Sequence, residues 1–519
     1  MTDNSRNHDE TPLANRAMRA ASWRFATMAV SAGIQLSVGI VLARLLPPSD
    51  FGLVALAFVF AGFARLLANL GIPNAVVQRS VLTERHIQAA FTISVLLGIV
   101  VAGLMWLGAP LSTFVFDEAR LPEILRVYSI VFVISGFSNT AGALARRELD
   151  FRTLFYVNIV SYVFGHAAVA ITLAVLGYGV WSLVAGRMGL QIVQAVLLFR
   201  WVRHSVRPII APAETRQLMG FGTGNALSEL LQYLARNGDK FVVGRWLGGA
   251  GPLGLYNRAY QQMRLASDNI GQLLIAVLFP TFAQLQDDKR RFGIAFLRSI
   301  ELATLLTAPL MAGMVIAAPH LIVGLYGPQW VESVQPFQVL SLAGVLATLY
   351  PIATVASEAL GRVYAVSLRS AIFAGAVVIL GIAAIPWGIT GMGAAVVVSY
   401  GIVYFLTASL ALRSAGISRR DFARSHVPGT AVASVVGVVA VTVRFGLEAL
   451  NMPHLVILFA LIGSCAVAMW AAVRWLPRSI RPHQLLRQIR ESAPKLPAGL
   501  DRLLEILLGD PGGVDDLSD

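Results

Sequence analysis

Between Glu229 and Asp268 the sequence carries ionisable and carboxamide side chains at helical spacing among apolar neighbours. Glu229, Gln232, Arg236, Asp239 and Lys240 share one side of a helix with 3.6 residues per turn. After a Gly-rich turn, Asn257, Gln261, Arg264, Asp268 and Gln272 recur at steps of three and four. A charge at the centre of a lipid-facing helix costs roughly 2.5–3.5 kcal/mol on insertion scales. Several on one hairpin must therefore line a polar cavity or pair with each other. In a cavity, Arg236, Lys240 and Arg264 would hold anionic groups, because cationic side chains form charge-assisted hydrogen bonds and the arginine fork binds phosphate oxygens bidentately. Asn257, Gln261, Asn269 and Gln272, with Tyr233 and Tyr260, would meet the hydroxyls of a polar head group. Glu229, Asp239 and Asp268 could exchange a proton and couple transport to an ion. The alternative stands beside each assignment: Arg236, Asp239 and Lys240 form an internal salt-bridged structure, Arg264 and Asp268 neutralise one another at i,i+4, and Glu229 partners Arg236. Arg65 and Arg187 stand alone in apolar stretches, and a lone intramembrane arginine is a functional candidate.

The elements that must position these residues are membrane helices. The chain has 519 residues, 56% hydrophobic and 13% charged, against about 25% charged in soluble domains. Apolar segments of about 20 residues recur near 23–46, 51–77, 87–109, 122–145, 153–176, 178–199, 217–247, 252–283, 292–318, 333–357, 365–386, 391–412, 427–449 and 454–475. The expectation is an all-α polytopic protein of about fourteen spans. The net charge of +13 sits in loops and tail, which points to topology rather than nucleic acid. One set of loops carries Arg79 and Arg85; Arg146, Arg147 and Arg152; Arg200, Arg203 and Arg207; Lys289, Arg290 and Arg291; Arg419, Arg420 and Arg424. The opposite set, including PPSDF, LGYG, PWGITG and NMPH, is nearly bare, so both termini are expected in the cytoplasm. Arg444 is expected to snorkel at a span end, and most tryptophans, Trp330 among them, to form an interfacial belt. The single cysteine, Cys465, lies in an apolar run, the eight histidines have no metal-ligand spacing, and no GxxxxGK[ST] loop is present. No cofactor, metal or nucleotide is implied. The tail reads as a short amphipathic stretch, GLDRLLEILL, followed by an acidic end.

An internal repeat organises the spans. The first ends VLARLLPPSDFGLVALAF and the seventh VVGRWLGGAGPLGLYNRAY; Arg44 aligns with Arg245, Leu46 with Leu247, and Phe51-Gly52-Leu53 with Leu253-Gly254-Leu255. Six spans separate the copies, so both halves have one orientation and form two lobes about a central site. The expected division is a cytoplasmic segment 1–22, an N-lobe 23–207, a C-lobe 208–425, two further spans within 426–476 and a cytoplasmic tail 477–519.

The run ARLLPPSDFGLVALA, QRSVLTERH, LARRELDFR, GYGVWSLV, YLARNGDKFVVGRWLG, GLYNRAYQQMRL and LFPTFAQLQDD resembles bacterial polysaccharide exporters over about residues 20–480. These are the Wzx-type flippases of the multidrug/oligosaccharidyl-lipid/polysaccharide exporter superfamily, in the branch serving exopolysaccharides such as colanic acid, xanthan and succinoglycan. The resemblance implies two six-helix lobes plus two C-terminal helices in the bacterial inner membrane. It implies transfer of undecaprenyl-diphosphate-linked oligosaccharide to the periplasmic leaflet, for a polymerase and chain-length regulators to extend. By helix position it implies Arg24, Arg65 and Arg264 as diphosphate contacts. Two other functions compete. A multidrug extruder of the same superfamily would favour an acidic, aromatic cavity, and a membrane polymerase or ligase would need a large outer loop that the sequence does not contain.

Overall fold

A computed structural model describes residues 13–69 and 71–475; the side chains of residues 13–22, 24, 25, 28, 29, 69, 219–229, 231, 232 and 277 lie outside the description. Arg24, Glu229 and the tail from 476 are therefore not placed. All regular structure among the described residues is helical. Between their ends helices pair every backbone amide within the segment, which is why apolar sequence of this length adopts them in a medium without water.

The chain divides into two compact units, residues 1–254 and 255–519. In the first lie α1 (Leu13–Leu45), α2 (Pro48–Asn69), α3 (Ile72–Gln78), α4 (Glu84–Gly108), α5 (Leu111–Phe116), α6 (Leu121–Arg147), α7 (Phe151–Val160), α8 (Val169–Val175), α9 (Val180–Trp201) and α10 (Pro212–Trp246). A π-helical segment, Ser161–Ala168, joins α7 to α8 as one rod. Next, α11 (Ala250–Leu285) starts at the boundary, and α12 (Lys289–Tyr326), α13 (Val334–Ala359), α14 (Val363–Ala383), α15 (Gly388–Ala415), α16 (Arg419–Arg424), α17 (Val427–Ala449) and α18 (His454–Trp475) complete the second unit. The helix α10, assigned from sequence to the second lobe, packs in the first unit against α2, α3 and α4.

Twelve helical stretches among the described residues are long and apolar enough to cross a bilayer, so the chain is a multi-pass membrane protein. They match the expected spans except the first and seventh. The apolar part of α1, Val30–Leu45, is shorter, and α10 does not qualify. Its sequence carries Glu214, Arg216, Glu229, Arg236, Asp239, Lys240 and Arg245.

Helix starts follow local chemistry. Thr83, Asp150, Asp288 and Ser418 accept backbone N–H bonds at the N-termini of α4, α7, α12 and α16. Arg147, at the end of α6, donates to the carbonyls of Val76, Val77, Arg79 and Ser80 and so closes the C-terminus of α3. Gly52 and Gly254, aligned with each other in the sequence, make reciprocal contacts. A Cβ on Gly52 would overlap the Ala250 carbonyl, and one on Gly254 would overlap the Pro48 carbonyl. Only glycine permits that approach.

Each unit has its own cores. In the first, Ile72, Val76, Ala89, Ala90, Ala143 and Leu144 form one cluster and Ala61, Val101, Tyr128 and Phe132 another. In the second, Phe282, Phe292, Phe296, Tyr404 and Phe422 form the aromatic centre. Two expectations are corrected here. Trp330 is not interfacial: it is fully buried, and Arg258 lies over its ring and that of Tyr326 at 4.9 and 4.8 Å. Arg444 does not simply snorkel, because its Nε donates to Glu448 at 2.9 Å and its NH1 to the Ile316 carbonyl at 3.3 Å.

Candidate functional site: a cationic cavity in the first unit

The first unit contains an open cavity of about 820 Å³. Each bordering helix contributes one face at helical spacing. From α2 come Phe58, Ala61, Gly62 and Arg65; from α6, Tyr128, Phe132, Ser135, Asn139, Gly142 and Arg146. From α7 come Leu154 and Asn158; from α9, Arg187, Gln191 and Gln194; from α10, Tyr233, Asn237 and Lys240. Steps of three, four and seven are what one side of an α-helix presents. Four cations and five carboxamides thus converge, and the described lining contains no Asp or Glu.

Neighbouring contacts hold these groups in place. Arg187 lies over the Phe58 ring at 5.3 Å, a cation–π contact joining α9 to α2. The Tyr233 hydroxyl donates to the Val59 carbonyl, which fixes α10 on α2. Gly62 makes room for it, since a Cβ there would fall 2.5 Å from Tyr233 Cε2. Asn237 donates to the Tyr233 carbonyl at 3.0 Å and accepts from Lys240 Nζ at 3.1 Å, so a carboxamide orients the lysine. Gln194 donates to Asn158 Oδ1 at 3.4 Å across α9 and α7.

Arg146 and Arg187 lie apart along the cavity. A Cβ on Gly142 would lie 3.7 Å from Arg146 NH1 and 3.8 Å from Leu198 Cδ1, which sets Arg146 level with Leu198. Arg187 lies eleven residues before Leu198 on the same helix, about 16 Å along the axis at 1.5 Å per residue. The cavity can therefore offer an anion successive partners over that length.

Of the expected site residues, Arg65 and Lys240 line this cavity together. Arg236 is exposed and does not border it, and Asp239 is 2% exposed. Arg24 and Glu229 lie outside the described side chains, and the others lie in the second unit on α11. There Arg264 pairs with Asp268 at 2.6 Å and donates to the Tyr400 hydroxyl at 3.2 Å. Asn257 is buried, Asn269 half-buried, and Gln261 and Gln272 exposed. Arg146, Asn139, Asn158, Gln191, Gln194 and Asn237 were not anticipated. The signal was present on α9, where Arg187, Gln191 and Gln194 repeat the three-and-four spacing seen in α10 and α11. Arg146 reads in sequence as one of several loop arginines.

A family model described as polysaccharide biosynthesis protein matches residues 41–335, over half of the 519-residue chain. The succinoglycan biosynthesis transport protein ExoT of Rhizobium meliloti (strain 1021) is 27% identical over 341 residues, 65% of this chain and 68% of its own. The lipopolysaccharide biosynthesis protein WzxC of Escherichia coli (strain K12) is 25% identical over 346 residues, 64% and 68% of the two chains. The lipid II flippase MurJ, in an inward closed conformation, superposes with a TM-score of 0.68 at 11% identity, covering 86% of this chain and 97% of its own. At that identity the likeness to MurJ is one of fold.

Proposed function

The chain belongs to the family of polysaccharide biosynthesis proteins, and on that premise we propose that it is a flippase for undecaprenyl-diphosphate-linked oligosaccharide in the bacterial inner membrane. The observation that carries this reading is the cavity. Arg65, Arg146, Arg187 and Lys240 offer charge to a diphosphate, and Asn139, Asn158, Gln191, Gln194 and Asn237 offer donors and acceptors to sugar hydroxyls. The polyprenyl chain needs no such groups, because bilayer hydrocarbon already solvates it. The names of ExoT and WzxC, a transport protein and a lipopolysaccharide biosynthesis protein, support the same reading.

In the proposed cycle the diphosphate leaves the cytoplasmic headgroup region for Arg146 and passes along Arg65 to Arg187 and Lys240. A spread of cations lowers the cost of moving the anion through a low-dielectric space, since it keeps a counter-charge at each step. No step makes or breaks a covalent bond, so the protein acts as a transporter. We assign α1 and α10 as the two remaining spans of a fourteen-span protein, with both termini cytoplasmic. Two repeat-related lobes, a polymerase and chain-length regulators outside, and alternating access complete the proposal. Arg24, Arg236 and Arg264 stay candidate diphosphate contacts, and Glu229, Asp239 and Asp268 candidate coupling groups. A drug extruder would need acidic partners for cationic substrates, and the described lining favours the opposite charge.

The test is the lipid-linked oligosaccharide pool of a strain lacking this protein, resolved by leaflet and mass. Accumulation of one undecaprenyl-diphosphate oligosaccharide facing the cytoplasm, with loss of surface polysaccharide, is the expected result. Accumulation facing the periplasm would place the block after flipping and replace this reading with polymerase or ligase. An unchanged pool would overturn it in favour of the extruder.

A further inference from the structure

Histidines scattered in sequence meet at one end of the second unit. His320, near the end of α12, is 2% exposed and uses both ring nitrogens. Its Nδ1 lies 2.9 Å from Nδ1 of His454, the first residue of α18, and its Nε2 lies 3.0 Å from Glu448 Oε1 on α17. The same Oε1 accepts from Arg444 Nε at 2.9 Å. These are the charged and titratable groups that face His320: Glu448 and Arg444 from α17, and His454 from α18. His454 is exposed, at the end of α17 and α18 opposite to Arg419, Arg420, Arg424 and Arg474.

The geometry dictates where protons sit. A carboxylate oxygen only accepts, so His320 Nε2 carries hydrogen toward Glu448. In the neutral pair His320 Nδ1 is then a lone pair, and His454 Nδ1 must donate to it. A proton arriving from solution at exposed His454 Nε2 makes that ring an imidazolium and turns the ring-to-ring contact into a charge-assisted hydrogen bond. Transfer across the contact would put the charge on His320, directly against the carboxylate. A second proton would set N–H against N–H and is refused. We propose that His320, His454 and Glu448 form a one-proton site, loaded from the solution at this end of the bundle, whose occupancy clamps α12 to α17 and α18. The site shares no residue with the cavity in the first unit and stands whatever the cavity carries.

The chain's single cysteine reports on the clamp. Cys465 on α18 packs with Leu305 of α12 and Val432 and Val436 of α17, and a Cβ on Gly313 of α12 would lie 3.3 Å from its sulfur. The experiment is N-ethylmaleimide labelling of Cys465 in the purified full-length protein, from about pH 8 to about pH 6, across the ordinary histidine range. The rate in the wild type is divided by the rate in His454→Gln at each pH, which cancels the thiol's own ionisation. A charge-assisted hydrogen bond exceeds a neutral one by enough to change an opening equilibrium about fivefold. The expected result is a ratio that falls about fivefold on acidification. His454→Ala, which removes the ring without supplying a carboxamide, should serve equally well as the denominator. A ratio that stays flat or rises with either variant overturns the proposal.

Discussion

Replacing Arg187 with Gln is the sharpest probe of the cavity. The guanidinium lies over Phe58 and faces the cavity, so the shorter amide keeps a polar group there and removes the charge and the fork. A hydrogen bond to a charged group contributes about 1.5–3 kcal/mol. At about 1.4 kcal/mol per tenfold, Arg187→Gln should weaken binding of undecaprenyl diphosphate by about 10- to 150-fold. Arg187→Lys keeps the charge without the planar fork and should fall between the two. The assay is equilibrium binding to the purified protein in nanodiscs, with undecaprenol as the phosphate-free control. The variant should bind the alcohol as the wild type does, and its affinity for the diphosphate should depend less on salt, because one ion-pairing partner has been removed. Wild-type affinity for the diphosphate in Arg187→Gln, Arg65→Gln and Lys240→Gln alike would refute the assignment of this cavity as the diphosphate site. Equal weakening for the alcohol would show that the substitution damages the fold rather than a phosphate contact.

Other expectations follow from single contacts. Gly62→Val places methyl groups on the Tyr233 ring, so the hydroxyl should lose its bond to the Val59 carbonyl; overpacking of this kind costs about 1–3 kcal/mol and should lower the melting temperature and substrate binding together. Gly52→Val collides with the Ala250 backbone, which cannot yield as a side chain can, and should reduce folded yield in membranes more than Gly62→Val does. Arg147→Ala leaves the carbonyls that end α3 without their donor; at about 1 kcal/mol net per hydrogen bond the loss should be about 2–4 kcal/mol, read as a lower denaturation midpoint. Asn237→Ala frees Lys240 from its orienting carboxamide and should weaken diphosphate binding less than Lys240→Gln does, a ranking that the nanodisc assay checks directly.

Apolar period and loop charge in the sequence already determined an all-helical, multi-pass protein, because a bilayer leaves a chain of this composition no other way to satisfy its backbone. The sequence also aligned Gly52 with Gly254, and both positions prove to need the absence of a side chain. Arg65, read as a lone arginine in an apolar stretch, and Lys240, read from helical spacing, both border one space. Spacing within one helix cannot say which helices face each other. That is why Arg146 hid among loop arginines until Gly142 and Leu198 placed it, and why the Tyr400 hydroxyl beside Arg264, 136 residues away, could not be read from the i,i+4 spacing to Asp268. Trp330 shows the same limit, since a tryptophan near a span end can belong to an interface or to a core, and only the rings and Arg258 packed around it decide. The meeting of His320 with His454, 134 residues apart, was beyond any local pattern. Local periodicity follows from the geometry of a single helix and is written residue by residue, whereas the partners of a buried charge are chosen by packing between helices, which exists only once the chain has folded.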